Sequence, residues 1–109
     1  MNDDLKNKIE EACPNFEEVE VDPKSAFGRR WQVLQNRENV NDLEYLVFYS
    51  ELNLYLKIKS KNKTEIAEAR LKHNEYLEQF KAWQEAEAKR LEAEMLAQET
   101  ENQPNENNV

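Results

Sequence analysis

The chain has one glycine, one cysteine, one histidine and three prolines in 109 residues, and it has no long apolar run. Each scarcity excludes something. A lone Cys13 forms no internal disulfide, so nothing staples the fold and a reducing compartment is the natural setting. One glycine leaves no phosphate-cradling loop and no Walker pattern, and asparagine must then supply any backbone with positive φ. One histidine and one cysteine are too few soft donors for a zinc centre, which takes three or four ligands. No segment approaches the ~20 apolar residues of a membrane span, and the Met-Asn-Asp-Asp start has neither the basic nor the apolar region of a secretory signal. The expected location is cytoplasmic, with no membrane contact.

Positive charge is also in deficit. The net charge is −8, which argues against generic binding to nucleic acid or anionic lipid and favours solubility or a basic protein surface as partner. The surplus of Asn, Lys and Glu accompanies AT-rich coding, as in small bacteria, phages and mobile elements.

What the chain has in plenty is helix. From Asn62 to Gln98 no Gly or Pro intervenes. At about 100° per residue, Ile66, Ala69, His73, Tyr76, Leu77, Phe80, Trp83, Ala88, Leu91 and Met95 fall on one stripe roughly 140° wide. Glu68 to Lys72 and Glu85 to Lys89 are i,i+4 pairs in the favourable order. Asn62 or Thr64 caps the start, and Glu65 lies three residues after Asn62 as in a capping box. The spacing 66, 69, 73, 76, 80, 83 follows a heptad that Glu87 breaks, so the aromatics suit a domain core better than a two-stranded zipper.

Upstream, Asp3 or Asp4 caps a short helix that Pro14 ends. Phe16 to Asp22 alternates around Val19 and Val21 and reads as a strand with an acidic side. Asp22-Pro23-Lys24-Ser25 is a turn that Gly28 closes. Arg29 to Gln35 reads as a second strand, with Trp31 and Val33 on one face, and Asn36 to Asp42 as a loop. In Leu43 to Ser60 the apolar Leu52, Leu54, Leu56 and Ile58 alternate with Asn53, Tyr55, Lys57 and Lys59, which favours period 2. Against this, the segment is rich in Leu rather than Val or Ile, and Ser50-Glu51 makes a poor hairpin turn.

The expected architecture is therefore α+β. A short N-terminal helix and an antiparallel sheet of three or four strands occupy residues 1–60. A long helix over 61–98 packs on the sheet and projects beyond it, and residues 99–109 form a disordered acidic, Asn-rich tail. The rival is a mainly helical chain with residues 43–59 as helix.

No residue set carries the signature of catalysis or of a cofactor, and none is expected. His73, one turn from Ala69 and Leu77, reads as a hydrogen-bonded core histidine; a Cys13–His73 nucleophile pair would need the chain to fold back. The leading expectation is a non-enzymatic interaction or assembly protein that docks another protein or a second copy of itself. Its docking residues would be Ala88, Leu91 and Met95, on the part of the long helix that its own domain cannot cover. The alternative is an acidic inhibitor or adaptor that occupies a basic nucleic-acid-binding site, through Glu10, Glu11, Glu17, Glu18, Glu20 and Asp22. The weakest is a single-strand nucleic-acid face of Arg29, Arg30, Tyr55, Lys57, Lys59 and Lys61, against which stands a lysine-blunted sheet edge.

Overall fold

A computed structural model describes residues 2–102. Helix α1 (Asp3–Ala12) is followed by a 3-10 turn (Phe16–Glu18), α2 (Ala26–Asn36), α3 (Asp42–Ser60) and α4 (Lys63–Asn102). The described residues contain no strand, so the α+β expectation and its antiparallel sheet are overturned. The fold is a helical assembly built around α3.

The correction has a physical cause in α3 itself. A helix with neighbours on several sides must be apolar around most of its circumference. Helices α1, α2 and α4 all pack on α3. On a helix the alternating residues 52, 54, 56 and 58 become two i,i+4 pairs on different faces. Leu52 is buried with Leu56 half-buried above it, while Leu54 is half-buried and Ile58 exposed. Leucine is among the better helix formers, so propensity and packing agree. The start is set by a capping box inside the expected loop. Asn41 Oδ1 accepts from the Leu43 N–H at 2.7 Å, and the Glu44 carboxylate accepts from the Asn41 N–H at 3.3 Å.

The supposed strand Arg29–Gln35 is most of α2. Ser25 caps it by accepting from the Gly28 N–H at 3.1 Å. Phe27, Trp31 and Leu34 then follow helical spacing into the core, while Val33, expected beside Trp31, is 56% exposed. Phe16–Asp22 is a 3-10 turn followed by extended chain. Val19 and Val21 do turn inward and Glu18, Glu20 and Asp22 outward, but no strand pairs with them. At the N-terminus the cap is Asn2 rather than Asp3 or Asp4, its Oδ1 accepting from the Leu5 N–H at 2.7 Å.

The lone glycine is needed for close approach, not for positive φ. Gly28 lies in the first turn of α2, where an added Cβ would stand 2.2 Å from the Asp22 carbonyl oxygen. Among the described residues, positive φ falls at Asn15, Asn39 and Lys61. Lys61 ends α3 in the left-handed conformation, with its N–H on the Ile58 and Lys57 carbonyls. Asn62 then caps α4, its Oδ1 accepting from the Glu65 N–H at 3.1 Å. The two-residue connection forces α4 back antiparallel along α3.

The core joins Leu5, Ile9, Ala12 and Cys13 of α1 and its C-cap to Leu34 of α2 and to Leu46, Phe48, Tyr49 and Leu52 of α3. Trp31 stacks on Phe48 with centroids 5.7 Å apart, and Tyr49 meets Phe48 edge to face at 5.1 Å. Length then dictates shape. Forty residues of α4 span roughly 60 Å, about twice the nineteen of α3. The molecule measures 72 × 27 × 27 Å with a radius of gyration of 19.8 Å, against about 13 Å for a compact domain of this size. The α4 backbone stays helical through Asn102; the rest of the expected tail lies outside the described residues.

Candidate docking surface

The antiparallel register of α3 and α4 can be followed residue by residue. Lys57 pairs with Glu65 at 3.7 Å, Ser50 meets His73, and Phe80 shares a groove with Glu44 and Val47. Asp42 at the start of α3 is therefore passed near Trp83. Phe80 and Trp83, both half-buried, stack on each other with centroids 5.8 Å apart and planes 18° apart. They close the packed part of α4.

Beyond them about 19 residues, Gln84 to Asn102, run on for roughly 28 Å without a helix of their own chain alongside. Ala88 is exposed here, Leu91 is 49% exposed and Met95 is 61% exposed. They keep the rotational position of the stripe that faces α3. Beside the stripe, Arg90 bridges Glu87 at 2.9 Å and Glu94 at 2.6 Å, and its hydrogen bond holds the Glu87 carboxyl below the usual range. These pairs lie one turn apart on one helix and stiffen the arm.

At the root of the arm, α2, α3 and α4 leave an open, largely apolar groove of about 340 Å³. Val33, Leu34, Val47, Phe48 and Phe80 line it together with the charged Arg29, Arg30 and Glu44. The groove was not anticipated. Its signal was the helical spacing of Phe27, Trp31 and Leu34, which leaves Val33 as an apolar residue on an outer face.

The other charged residues are dispersed. Glu10 and Glu11 lie on α1, Glu17 and Glu18 on the 3-10 turn, and Glu20 and Asp22 on the extended segment, all exposed. Two of them hold turns: Glu10 accepts from the Asn15 N–H at 2.8 Å and Asp22 from the Lys24 N–H at 2.9 Å. The six basic-face residues share no strand. Arg29 and Arg30 are on α2, and Arg30 is paired with Glu51 while lying over the Phe27 and Phe48 rings. Lys59 lies over Tyr55 at 4.9 Å, Lys57 is paired with Glu65, and Lys61 is the C-cap of α3.

The nucleophile-bearing side chains are in the interior. Burial, reinforced by the nearby Glu10, pushes the Cys13 thiol up to about 11, so it stays protonated at neutral pH. The Ser50 hydroxyl, on a residue 1% exposed, donates to the Val47 carbonyl at 3.1 Å and lies 2.8 Å from His73 Nδ1. With that proton directed at Val47, the contact is met by the imidazole tautomer that donates through Nδ1–H.

Burial lowers the pKa of His73; Glu51 opposes the shift and Arg30 adds to it. The unfolded chain then binds the proton more readily than the folded one. The stability due to neutral His73 is complete above its unfolded pKa of about 6.5 and declines as pH falls below it. Urea unfolding followed across this range should show a steeper acid loss for wild type than for His73→Gln. Parallel curves would contradict the assignment.

No helix among the described residues is long and apolar enough to cross a membrane, and no cluster of three or more His, Cys, Asp or Glu side chains there is placed to hold a metal. Comparison with protein-family models, with curated proteins and with solved structures finds no match in any of the three.

Proposed function

We propose that this is a non-enzymatic interaction or assembly protein in which α4 is core over its first half and a docking arm over its second. One observation carries the reading: the apolar stripe of α4 continues in phase for about three turns after α3 has ended. A solvated helix propagated only by the propensity of Ala, Glu, Lys and Leu needs no such alignment. Leaving Leu91 and Met95 in water forfeits roughly 1.5–3 kcal/mol each relative to full burial, and a docked partner would recover that. The buried, protonated Cys13 and the inward Ser50 fit a chain that does no nucleophilic chemistry. A lone reduced thiol fits a cytoplasmic setting.

The acidic-inhibitor reading has less behind it, because two of its six carboxylates already cap turns and the six are spread over three elements. The nucleic-acid reading has least, because its cations are separated and several are paired within the chain.

The test is the double substitution of Leu91 and Met95 by Gln. Both side chains are exposed, so the melting temperature should stay within about 2 °C of wild type, as for surface changes of under about 0.5 kcal/mol. Association should be lost, whether with a second copy or with a protein retained from lysate. If wild type and variant recover the same partners and have the same mass in solution, the arm is no docking surface.

A further inference from the structure

We propose that the cleft beneath residues 16–22 is a binding site for a small, flat, uncharged aromatic molecule that carries one hydrogen-bonding group. The site shares no residue with the arm of α4 and stands whether or not the arm docks a partner.

Between the end of α1 and the Ser25 cap of α2 the chain runs as the 3-10 turn and an extended segment. Beneath it lies a cleft of about 470 Å³, within the range that small-molecule sites occupy. The segment contributes Phe16, Val19 and Val21, and α2 and α3 contribute Trp31, Phe48 and Tyr49. Rings outnumber branched side chains here, so a flat ring system is what would stack or meet them edge to face. The segment is pinned at its ends and loose between them. Before it, Glu10 accepts from the Asn15 N–H at 2.8 Å; after it, the Ser25 N–H donates to the Asp22 carbonyl at 2.9 Å. The main chain of Glu20 and Val21 makes no hydrogen bond with another described residue. Side-chain packing alone holds the middle, and it can yield to admit a ligand.

Tyr49 supplies the polar handle. The residue is only 7% exposed, yet its hydroxyl makes no hydrogen bond with a described residue. No side-chain oxygen or nitrogen shut off from solvent lacks a partner among the described residues, so this hydroxyl still reaches open space, and Tyr49 lines the cleft. Burial, with Cys13, Tyr45 and Glu17 adding to it, pushes the hydroxyl up to about 12, so it remains a donor at ordinary pH. Lys6 and Glu17, both exposed, are the ionic residues of the cleft, and a ligand of either charge meets one of its own sign. An uncharged ring with one polar group avoids that conflict and gives Tyr49 a partner. The groove between α2, α3 and α4 offers no such handle, because the buried residues that line it, Leu34 and Phe48, are apolar.

The experiment is an NMR titration of the full chain with naphthol, naphthalene, naphthoate and naphthylmethylammonium, following amide, indole and valine methyl signals. Naphthol should bind best of the four and shift Val19, Val21 and the Trp31 indole. Tyr49→Phe keeps the ring and its packing, and should weaken naphthol by about tenfold while leaving naphthalene unchanged. Val19→Phe, which fills the cleft, should abolish binding of both. No shift up to the solubility limit of naphthol overturns the site, as do shifts centred on Val33 and Val47 of the other groove. Naphthoate or naphthylmethylammonium binding more tightly than naphthol overturns the uncharged class. Equal effects of Tyr49→Phe on naphthol and naphthalene overturn the role of the hydroxyl.

Discussion

Replacing Phe48 by Ala should remove about 3–5 kcal/mol of stability, a large share of the roughly 5–15 kcal/mol that a domain possesses. Phe48 is 2% exposed and sits where α2 meets α3. Trp31 stacks on it at 5.7 Å, Tyr49 and Phe27 meet its edges at 5.1 and 6.0 Å, and the Arg30 guanidinium lies over it at 5.6 Å. Rings held by one another cannot close into the space that a lost ring leaves, so the cavity term stays near its upper range. The Arg30 contact, worth roughly 0.5–1 kcal/mol at a partly exposed site, goes as well. Urea denaturation should show a much lower midpoint with little change in slope. A loss below about 1 kcal/mol would mean that Phe48 is not the hub of the core. By contrast Phe80, which looks equally central from its place in the stripe, is only half-buried, and its truncation should cost clearly less than that of Phe48.

Gly28→Ala should also destabilise, although in most helices the same change helps by about 0.5–1 kcal/mol. The Asp22–Ser25 turn folds directly over the first turn of α2. The new methyl would stand 2.2 Å from the Asp22 carbonyl oxygen and 2.7 Å from the Pro23 Cα, both backbone atoms that cannot rotate away. That carbonyl already accepts from the Ser25 N–H at 2.9 Å and the Ser25 hydroxyl at 2.6 Å. Making room means opening the turn that also places the Ser25 cap. Overpacking of this kind costs about 1–3 kcal/mol, which outweighs the gain in helix propensity. Thermal unfolding of the variant checks it; a raised melting temperature would show that the turn gives way freely.

The sequence disclosed α1 and α4, whose surroundings are simple, and concealed α2 and α3. Helix α4 has one main apolar face, with Leu71 and Leu96 exposed away from it, and no breaker, so its stripe was legible from Ile66 to Met95. Helix α3 is enclosed by α1, α2 and α4, and enclosure erases the one-sided pattern on which periodicity depends. What remained was an alternation of Leu52, Leu54, Leu56 and Ile58 that resembles a strand. Local chemistry pointed the right way. Asn41 with Glu44 three residues on is a capping box, and a run of leucines is poor strand material. Trp31 and Val33 looked paired because the window began at Arg29; beginning at Phe27 reveals the helical step to Trp31 and Leu34. The groove beside Phe80 was hidden for another reason. It is made by three helices, and no single stretch of chain describes it.

Hydrogen exchange along α4 in concentrated solution separates a docked arm from a solvated extension. The backbone amides of residues 84–98 should be protected in wild type, with protection retreating to about Trp83 in the Leu91→Gln/Met95→Gln variant. Residues 66–80, held by α3, should exchange alike in both proteins. Fast exchange beyond Trp83 in wild type and variant alike would show that the arm is a solvated helix that nothing covers.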